Sequence, residues 1–399
     1  VYWLATMLVD NLATTVYRTG CYLMVSTPQP AKLPKPSKTP VLSSAAPLPH
    51  ASTFGGSGDP HMWAVTKAVR AWWEKHGRPA QLCVALSGGA DSLALTAGAV
   101  RTGAQVTALL VDHQLQEGSG QVAHHAAEQA RQLGCVEALV IPIVINDENG
   151  LGMEGAAREA RYAALDMMRA GRPVLLGHTQ DDQAETLLLG LLRGSGPHAI
   201  AGMSDWDDPW GRPLLGLRRA DTHAACAEHA IDVWNDPQNK DSAFTRVCVR
   251  HEVIPLLQEI SGGEIVPALA RTAQLVREDA DELDSQADTI LREALQRSDG
   301  SGELPLDSLR ELPLPTLRRV LRLWLHAHGH TQAGYTHLQE VARLVTDWHG
   351  QGPIALPGGD IVKRQDKALY FVPVVPAADS ASSALSMGCG HAHGCRHGH

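Results

Sequence analysis

The chain has 399 residues, 44% of them hydrophobic and 19% charged, with a formal net charge of -9. That length allows two or three domains and that composition fills a proper core, which excludes a fibrous or wholly disordered chain. The acidic balance argues against a protein coated in positive charge, while a local basic patch remains compatible with it. Seven cysteines, odd in number, dispersed and without a C-x-x-C pair, argue against a disulfide framework and for a reducing cytoplasm. No stretch reaches the roughly 20 apolar residues that a bilayer span requires, so no membrane partner is expected.

Residues 26–58 are dense in Pro, Ser, Lys and Gly, the composition of a linker. Two readings stay open for residues 1–60: a disordered extension, or a mis-assigned start with translation beginning further in, for instance at Met62. From Gln81 the pattern changes to short apolar runs alternating with amphipathic segments. Strands are expected at 82–86, 106–111, 139–144 and 174–176, with helices at 91–102, 121–133, 153–169 and 181–192. Strands this apolar are buried on both faces, and their alternation with helices makes a doubly wound parallel sheet of the α/β class. Ligands in such a sheet bind beyond the carboxyl ends of the strands. Past Asp221 the strands stop, and helices are expected at 222–231, 249–258, 266–291 and 317–327 as a smaller helical domain. Residues 353–372, with Pro357-Gly358-Gly359-Asp360 between apolar runs, suit a terminal β-hairpin. The tail is low in complexity and ends in alternating Cys389, His391, His393, Cys395, His397 and His399.

The motifs fall at the carboxyl ends of the expected strands. Ser87-Gly88-Gly89-Ala90-Asp91-Ser92 runs from a buried strand straight into a helix. Glycines let the backbone approach a ligand closely, and the helix N-terminus offers unpaired N–H groups to a polyphosphate. The lysine of a Walker A loop is missing, so this is a pyrophosphate loop of another kind. Asp91 can hold a metal ion or cap the helix. Asp112 and His113 close the second strand, and His178 precedes the run Asp181, Asp182 and Glu185 after the fourth. Carboxylates in a first helical turn are favoured by the dipole, yet Mg²⁺ bound with ATP also takes one or two carboxylates. His178 suits a general base or a phosphate contact. Arg158 and Arg161 share one side of their helix, and Arg193 beside Gly194 suits a phosphate contact or a helix end.

These segments resemble the tRNA(Ile)-lysidine synthetases, members of the N-type ATP pyrophosphatase group. The resemblance is carried by SGGADS at 87–92, VDH at 111–113, EGAAREARY at 154–162, DDQAETLLL at 181–189, RGSG at 193–196, RPLL at 212–215 and WNDPQNKDSAFTR at 234–246. It implies an adenine nucleotide alpha hydrolase-like, Rossmann-like fold in which ATP adenylates C2 of the wobble cytidine of a CAU-anticodon tRNA(Ile). The amine of L-lysine then displaces AMP. On this reading Ser87 through Ser92, with Asp112 and His113, bind ATP. Asp91, Asp182 and Glu185 hold Mg²⁺, and His178 moves the proton. Arg158, Arg161 and Arg193 contact tRNA phosphate or the adenylate, and Arg218, Arg219, Arg246, Arg250, Arg318, Arg319 and Arg322 track the tRNA backbone.

The implied plan is a PP-loop catalytic domain at 61–220, a helical tRNA-binding domain at 221–350, the hairpin at 351–376 and a disordered His/Cys-rich tail at 377–399. A homodimer is compatible with it. Two departures from the pattern stand out: Thr179 occupies the place of a second histidine, and Gln114-Leu115-Gln116 replaces a common Gly-Leu-Arg. A tRNA cytidine thiolase shares the loop but generally uses cysteines that this core lacks. A metal-binding protein is the alternative of a different class, and it would explain only the tail.

Overall fold

The computed structural model describes residues 59–373 apart from 115–117, 146–151, 195, 235, 237–244, 299–301 and 332, and also leaves the side chain of residue 154 undescribed. The expectations for residues 1–58, for the tail from 377 and for most of the segment 235–244 therefore lie outside the described residues. The chain divides into two compact units, one up to Arg277 and one from Glu278 onward.

The first unit opens with a helix the sequence reading does not contain, α1 (Pro60–Lys75). Proline at its start suits a position where the N–H would be unpaired anyway, and Met62, Val65, Val69 and Trp72 bury one face at helical spacing. Then come β1 (Gln81–Ala85), α2 (Ala90–Val100), β2 (Gln105–Asp112), α3 (Ser119–Leu133), β3 (Glu137–Pro142), α4 (Gly152–Met168), β4 (Val174–Leu175) and α5 (Gln180–Leu192). Each of these falls within a few residues of the expected strand or helix. After a short helix α6 (Pro197–Ile200), two-residue strands β5 (Trp206–Asp207) and β6 (Trp210–Gly211) complete the sheet. Its order is β3-β2-β1-β4-β6-β5, parallel except for β5, which runs antiparallel to β6. Strand order reverses between β1 and β4, and the crevice there is where such sheets bind ligands.

Side-chain alternation along the strands builds two cores. Leu82 and Val84 of β1, with Val106, Ala108 and Leu110 of β2, pack against α1, α2 and α3. Cys83 and Leu109 point the other way, onto Ala164 and Leu165 of α4. The next helix, α7 (Arg219–Glu228), buries Ala225 and Cys226 in the first of these cores. Glu228 accepts from the free N–H groups of His61 and Met62 at 3.2 and 3.0 Å. The expected boundary at 220 is thereby displaced: α7 belongs to the sheet's unit because its apolar face is one wall of that unit's core.

Residues 245–261 form one interrupted helix rather than the expected 249–258: α8 (Thr245–Cys248), a wide π turn over Val249–Val253, and α9 (Ile254–Ser261). The unit boundary falls inside α10 (Ile265–Gln296). In the second unit, β7 (Leu304–Pro305) pairs with a C-terminal hairpin, so strands return earlier than the sequence reading has them. Helices α11 (Leu314–Ala327) and α12 (Tyr335–Thr346) are followed by β8 (Ile354–Ala355), β9 (Ile361–Gln365) and β10 (Ala368–Val372). The expected hairpin is β9–β10, set in a four-stranded sheet of order β7-β10-β9-β8. Leu304, Leu321, Trp324, Val341, Val362 and Leu369 are fully buried in its core. Among the described residues no single helix is long and apolar enough to cross a membrane.

Gly211 of β6 lies against the Trp72 ring of α1 and the Leu175 side chain of β4, and a Cβ there would overlap both. Gly211→Ala is expected to lower stability by about 2 kcal/mol, the scale of overpacking a tight core. Urea unfolding of the purified chain measures this; an unchanged midpoint would show that α1 yields freely.

Candidate active site

The pyrophosphate loop is a rigid turn. Leu86 N–H still pairs with Leu109 O at 2.9 Å, and Gly88 then adopts φ +84°, a conformation that favours glycine. The Ser92 hydroxyl accepts from Ser87 N–H at 3.2 Å and donates to Gly89 O at 2.9 Å, tying the turn shut from inside. No side chain caps α2 at Gly89, so the first N–H groups of that helix remain open to an anion. Gly177, at the end of β4, sits against the backbone of Asp91: a Cβ would lie 3.0 Å from Asp91 C and 3.1 Å from Ser92 N. The loop and the fourth strand therefore meet backbone to backbone.

Asp91, Asp182 and Glu185 converge as expected, but in the company of arginines. Arg219 of α7 reaches Asp182 at 2.8 Å, Glu185 at 3.2 Å and Asp91 at 3.6 Å. Arg250, in the π turn, grips both oxygens of Glu185 at 2.7 and 3.0 Å. Arg246 stands 3.9 Å from Glu185, and Arg218 holds Asp181 with two contacts at 3.2 Å. Asp182 Oδ2 accepts from the N–H and hydroxyl of Thr179 at 2.8 and 2.9 Å, a capping box for α5. Burial opposes charge on Arg219, but Asp182, Glu185 and Asp91 outweigh it and hold its pKa up. Asp182 likewise stays below the usual carboxylate range, because Arg219 and Thr179 overcome its burial. Asp91 goes the other way: burial raises it, against Arg219 and a short hydrogen bond from the Thr222 hydroxyl.

This network corrects two expectations. Glu185 is fully buried with both oxygens bound by guanidiniums, and Asp182 has hydrogen bonds on both oxygens, so neither leaves an oxygen without a partner for a metal. Asp91 does, since its Oδ2 faces only Arg219 Nε at 3.6 Å. The arginines assigned to a tRNA track are also spoken for: Arg218, Arg219 and Arg250 neutralise carboxylates. In the second unit Arg319 and Arg322 hold Asp284 at 3.1 and 2.7 Å, and Arg318 stacks on Tyr335.

A second group is cationic, with no carboxylate paired to it among the described residues. Arg158 and Arg161 lie over the Tyr162 ring at 4.9 and 5.7 Å, and Tyr162 meets Trp210 edge-on. Burial and then the repulsion of Arg158 and Arg246 lower the Arg161 pKa. Both His113 Nδ1 and His178 Nδ1 are buried without a hydrogen-bond partner among the described residues. Burial pushes His178 down to about 4, with Arg212, Arg246 and Arg158 adding to it and Asp182 opposing. Burial and Arg161 lower His113. This grouping of an exposed Arg158 and a half-buried Arg161 with two imidazole nitrogens suits an anionic ligand. It also changes the expectation for His178, whose environment favours a neutral imidazole over one titrating near pH 7.

Asp112 is buried at the end of β2 with Oδ1 accepting from Gln114 N–H at 3.0 Å, a turn cap at the sheet edge. Arg193 is exposed at the far end of α5, roughly 17 Å along the helix from Asp182, and is not brought to the site. Sequence reasoning missed Thr222, Gly177 and the carboxylate-holding role of Arg219 and Arg250. The last two were visible only as basic residues, since their partners lie far away in the chain.

The PP-loop domain family matches residues 64–257, and the TilS substrate binding domain matches residues 304–370. A tRNA(Ile)-lysidine synthase from Rhodococcus erythropolis is 51% identical over 300 residues, covering 75% of this chain and 90% of that protein. One from Mycolicibacterium paratuberculosis is 53% identical over 296 residues, covering 73% and 90%. Among solved structures, the U34-tRNA thiolase NcsA from Methanococcus maripaludis overlays with a TM-score of 0.42 at 14% identity, covering 55% of this chain and 79% of that one. That likeness is too distant to bear on function.

Two outcomes test the geometry. Gly177→Ala is expected to weaken ATP binding, because the methyl would press on the Asp91–Ser92 peptide of the loop; unchanged binding by calorimetry would refute the close approach. The folded pKa of His178, about 4, lies below its ordinary 6.5, so the unfolded chain takes the proton first. The neutral imidazole's stability contribution is complete above pH 6.5 and is lost as pH falls toward 4, a change on the order of 3 kcal/mol. His178→Gln is expected to flatten thermal midpoint against pH across that window. A slope unchanged by the substitution would show His178 to be solvated.

Proposed function

Since the chain belongs to the tRNA(Ile)-lysidine synthase family, we propose that it ligates L-lysine to C2 of the wobble cytidine of a CAU-anticodon tRNA(Ile). The observation that carries this is the uncapped α2 N-terminus together with Arg158 and Arg161, which no carboxylate pairs among the described residues. The first receives pyrophosphate and the second an adenylate phosphate. In the first step the cytidine C2 oxygen attacks the α-phosphorus of ATP and pyrophosphate leaves. In the second the lysine amine attacks C2, AMP leaves with the oxygen, and the amine loses a proton.

The residues supply what these steps need. Open N–H groups at 90–92 and the Ser87 hydroxyl hold the departing pyrophosphate. Arg158, exposed, and Arg161, half-buried, offset charge as it builds on the phosphate. His178, neutral at physiological pH, offers one ring nitrogen to substrate, which supports a hydrogen-bonding role beside the amine rather than storage of its proton. Mg²⁺, when bound with ATP, would offset phosphate charge. Among the described residues Asp91, whose Oδ2 faces only Arg219 Nε, would hold it. Asp182 and Glu185 fit instead as the anchors of Arg219 and Arg250. We assign the protein to the cytoplasm, in line with its unpaired cysteines.

A sulfur-transfer reading is disfavoured by the cysteines themselves. Among the described residues Cys135 and Cys226 are pushed up to about 12 and about 11 by burial, and Cys83 and Cys248 are raised too, so none of these four is poised as a thiolate.

The test is incubation with ATP, radiolabelled lysine and a tRNA(Ile) transcript bearing the CAU anticodon. Label in tRNA only when ATP is present is the expected result. Pyrophosphate release without label would leave the ATP site standing and overturn lysine as acceptor. Asp91→Asn, which keeps a partner for Thr222, is expected to lower tRNA-dependent pyrophosphate release at least about a hundredfold. Activity near wild type would remove Asp91 from the ATP site.

A further inference from the structure

Beyond α7 the chain runs back along α3 toward the loop. Gln129 donates to Asp232 O at 2.6 Å and His125 meets the Asp232 carboxylate at 3.1 Å. Trp234 N–H then donates to Gly88 O at 3.0 Å. The missing Cβ of Gly88 leaves its Cα beside the Trp234 Cβ, which a methyl there would approach to 3.6 Å. So the backbone of Trp234 is fastened to the pyrophosphate loop at the residue whose left-handed conformation shapes that loop. Its side chain nevertheless remains 44% exposed, where most large aromatic residues of this unit are buried or packed on a partner ring. Core packing does not account for a tryptophan whose backbone is held this firmly and whose side chain is left this open.

We infer that Trp234 is a stacking platform for a nucleobase at the mouth of the ATP site. An indole face is sequence-tolerant, flat and apolar, and stacking on it costs a base none of its edge hydrogen bonds. Both substrates of the proposed reaction bring a base within reach of the loop: the adenine attached to the phosphates it binds, and an unpaired base of the anticodon loop. Single-stranded tRNA bases are recognised in this way, splayed out and stacked on aromatic rings. The fixed backbone gives the ring a set position relative to the phosphates, so a base can be aligned with the reacting phosphorus without ordering a mobile side chain. The inference rests on the loop's function as proposed above.

The experiment uses the full chain and three ligands: ATP, inorganic tripolyphosphate and the tRNA(Ile) transcript. Trp234→Ala is expected to weaken one base-bearing ligand about tenfold or more, as the loss of a base–aromatic stack does, with tripolyphosphate affinity and thermal midpoint unchanged. Trp234→Phe is expected to restore most of the loss, and Trp234→Leu none of it. A raised Kd for ATP identifies adenine as the partner; a raised KM for tRNA at saturating ATP identifies an anticodon base. Equal weakening of tripolyphosphate and ATP would overturn the inference, because it would make Trp234 a support for the loop. So would unchanged affinity for both base-bearing ligands. If the wild-type chain binds no tripolyphosphate, the loop assignment fails, and that failure is separate from the behaviour of the indole.

Discussion

Arg219 stands within 3.6 Å of three carboxylates that belong to different parts of the chain: Asp91 at the start of α2, and Asp182 and Glu185 on α5. Without a cation between them these groups would repel across a poorly solvated space, and one or more would take up a proton. With it, the N-termini of two helices can lie side by side at the switch point of the sheet, both directed toward the same ligand. Arg250 and Arg246 extend the balance to the far side of Glu185, and Arg218 repeats it for Asp181. Breaking such a buried pair leaves an uncompensated charge, so the arrangement specifies geometry more than it adds stability.

The site divides by charge as a result. On the β4 side carboxylates and guanidiniums cancel. On the α4 side no carboxylate among the described residues pairs with Arg158 or Arg161, and neighbouring histidines are driven neutral by burial and by those same cations. On the proposed function a polyanionic substrate such as ATP with tRNA meets the second region and leaves the first undisturbed. This is why residues that look alike in sequence do different work.

Much of the fold was legible because period and burial agree along β1 to α5: Leu82 and Val84 alternate with Cys83, and the helices keep one apolar face. The first helix was obscured by its neighbourhood, since Pro60 follows a linker composition and reads as more of the same. Strands β5 and β6 are two residues each, too short for any alternation to show. In the site, the loop and the carboxylate run could be found because their residues are neighbours in the chain. The partners Arg219, Thr222 and Arg250 could not, because a guanidinium carries no mark of whether it will meet a phosphate or a carboxylate 37 or 65 residues away. Arg193, next to glycines in sequence, lies at the end of α5 away from the carboxylates.

The wide turn at Val249–Val253 has a bearing on how this chain tolerates change. Val249 and Ile254 are both buried although five positions apart, while Arg250 between them faces Glu185. In an ordinary helix residues five apart are rotated well away from one another, so one of these demands would fail. The turn therefore acts as a phase shifter, letting one helix serve an apolar core and an ionic lattice on different rotational settings. Residue count is then the inherited quantity here. Removing any single position from the turn would leave a perfectly good helix whose charges point past the site.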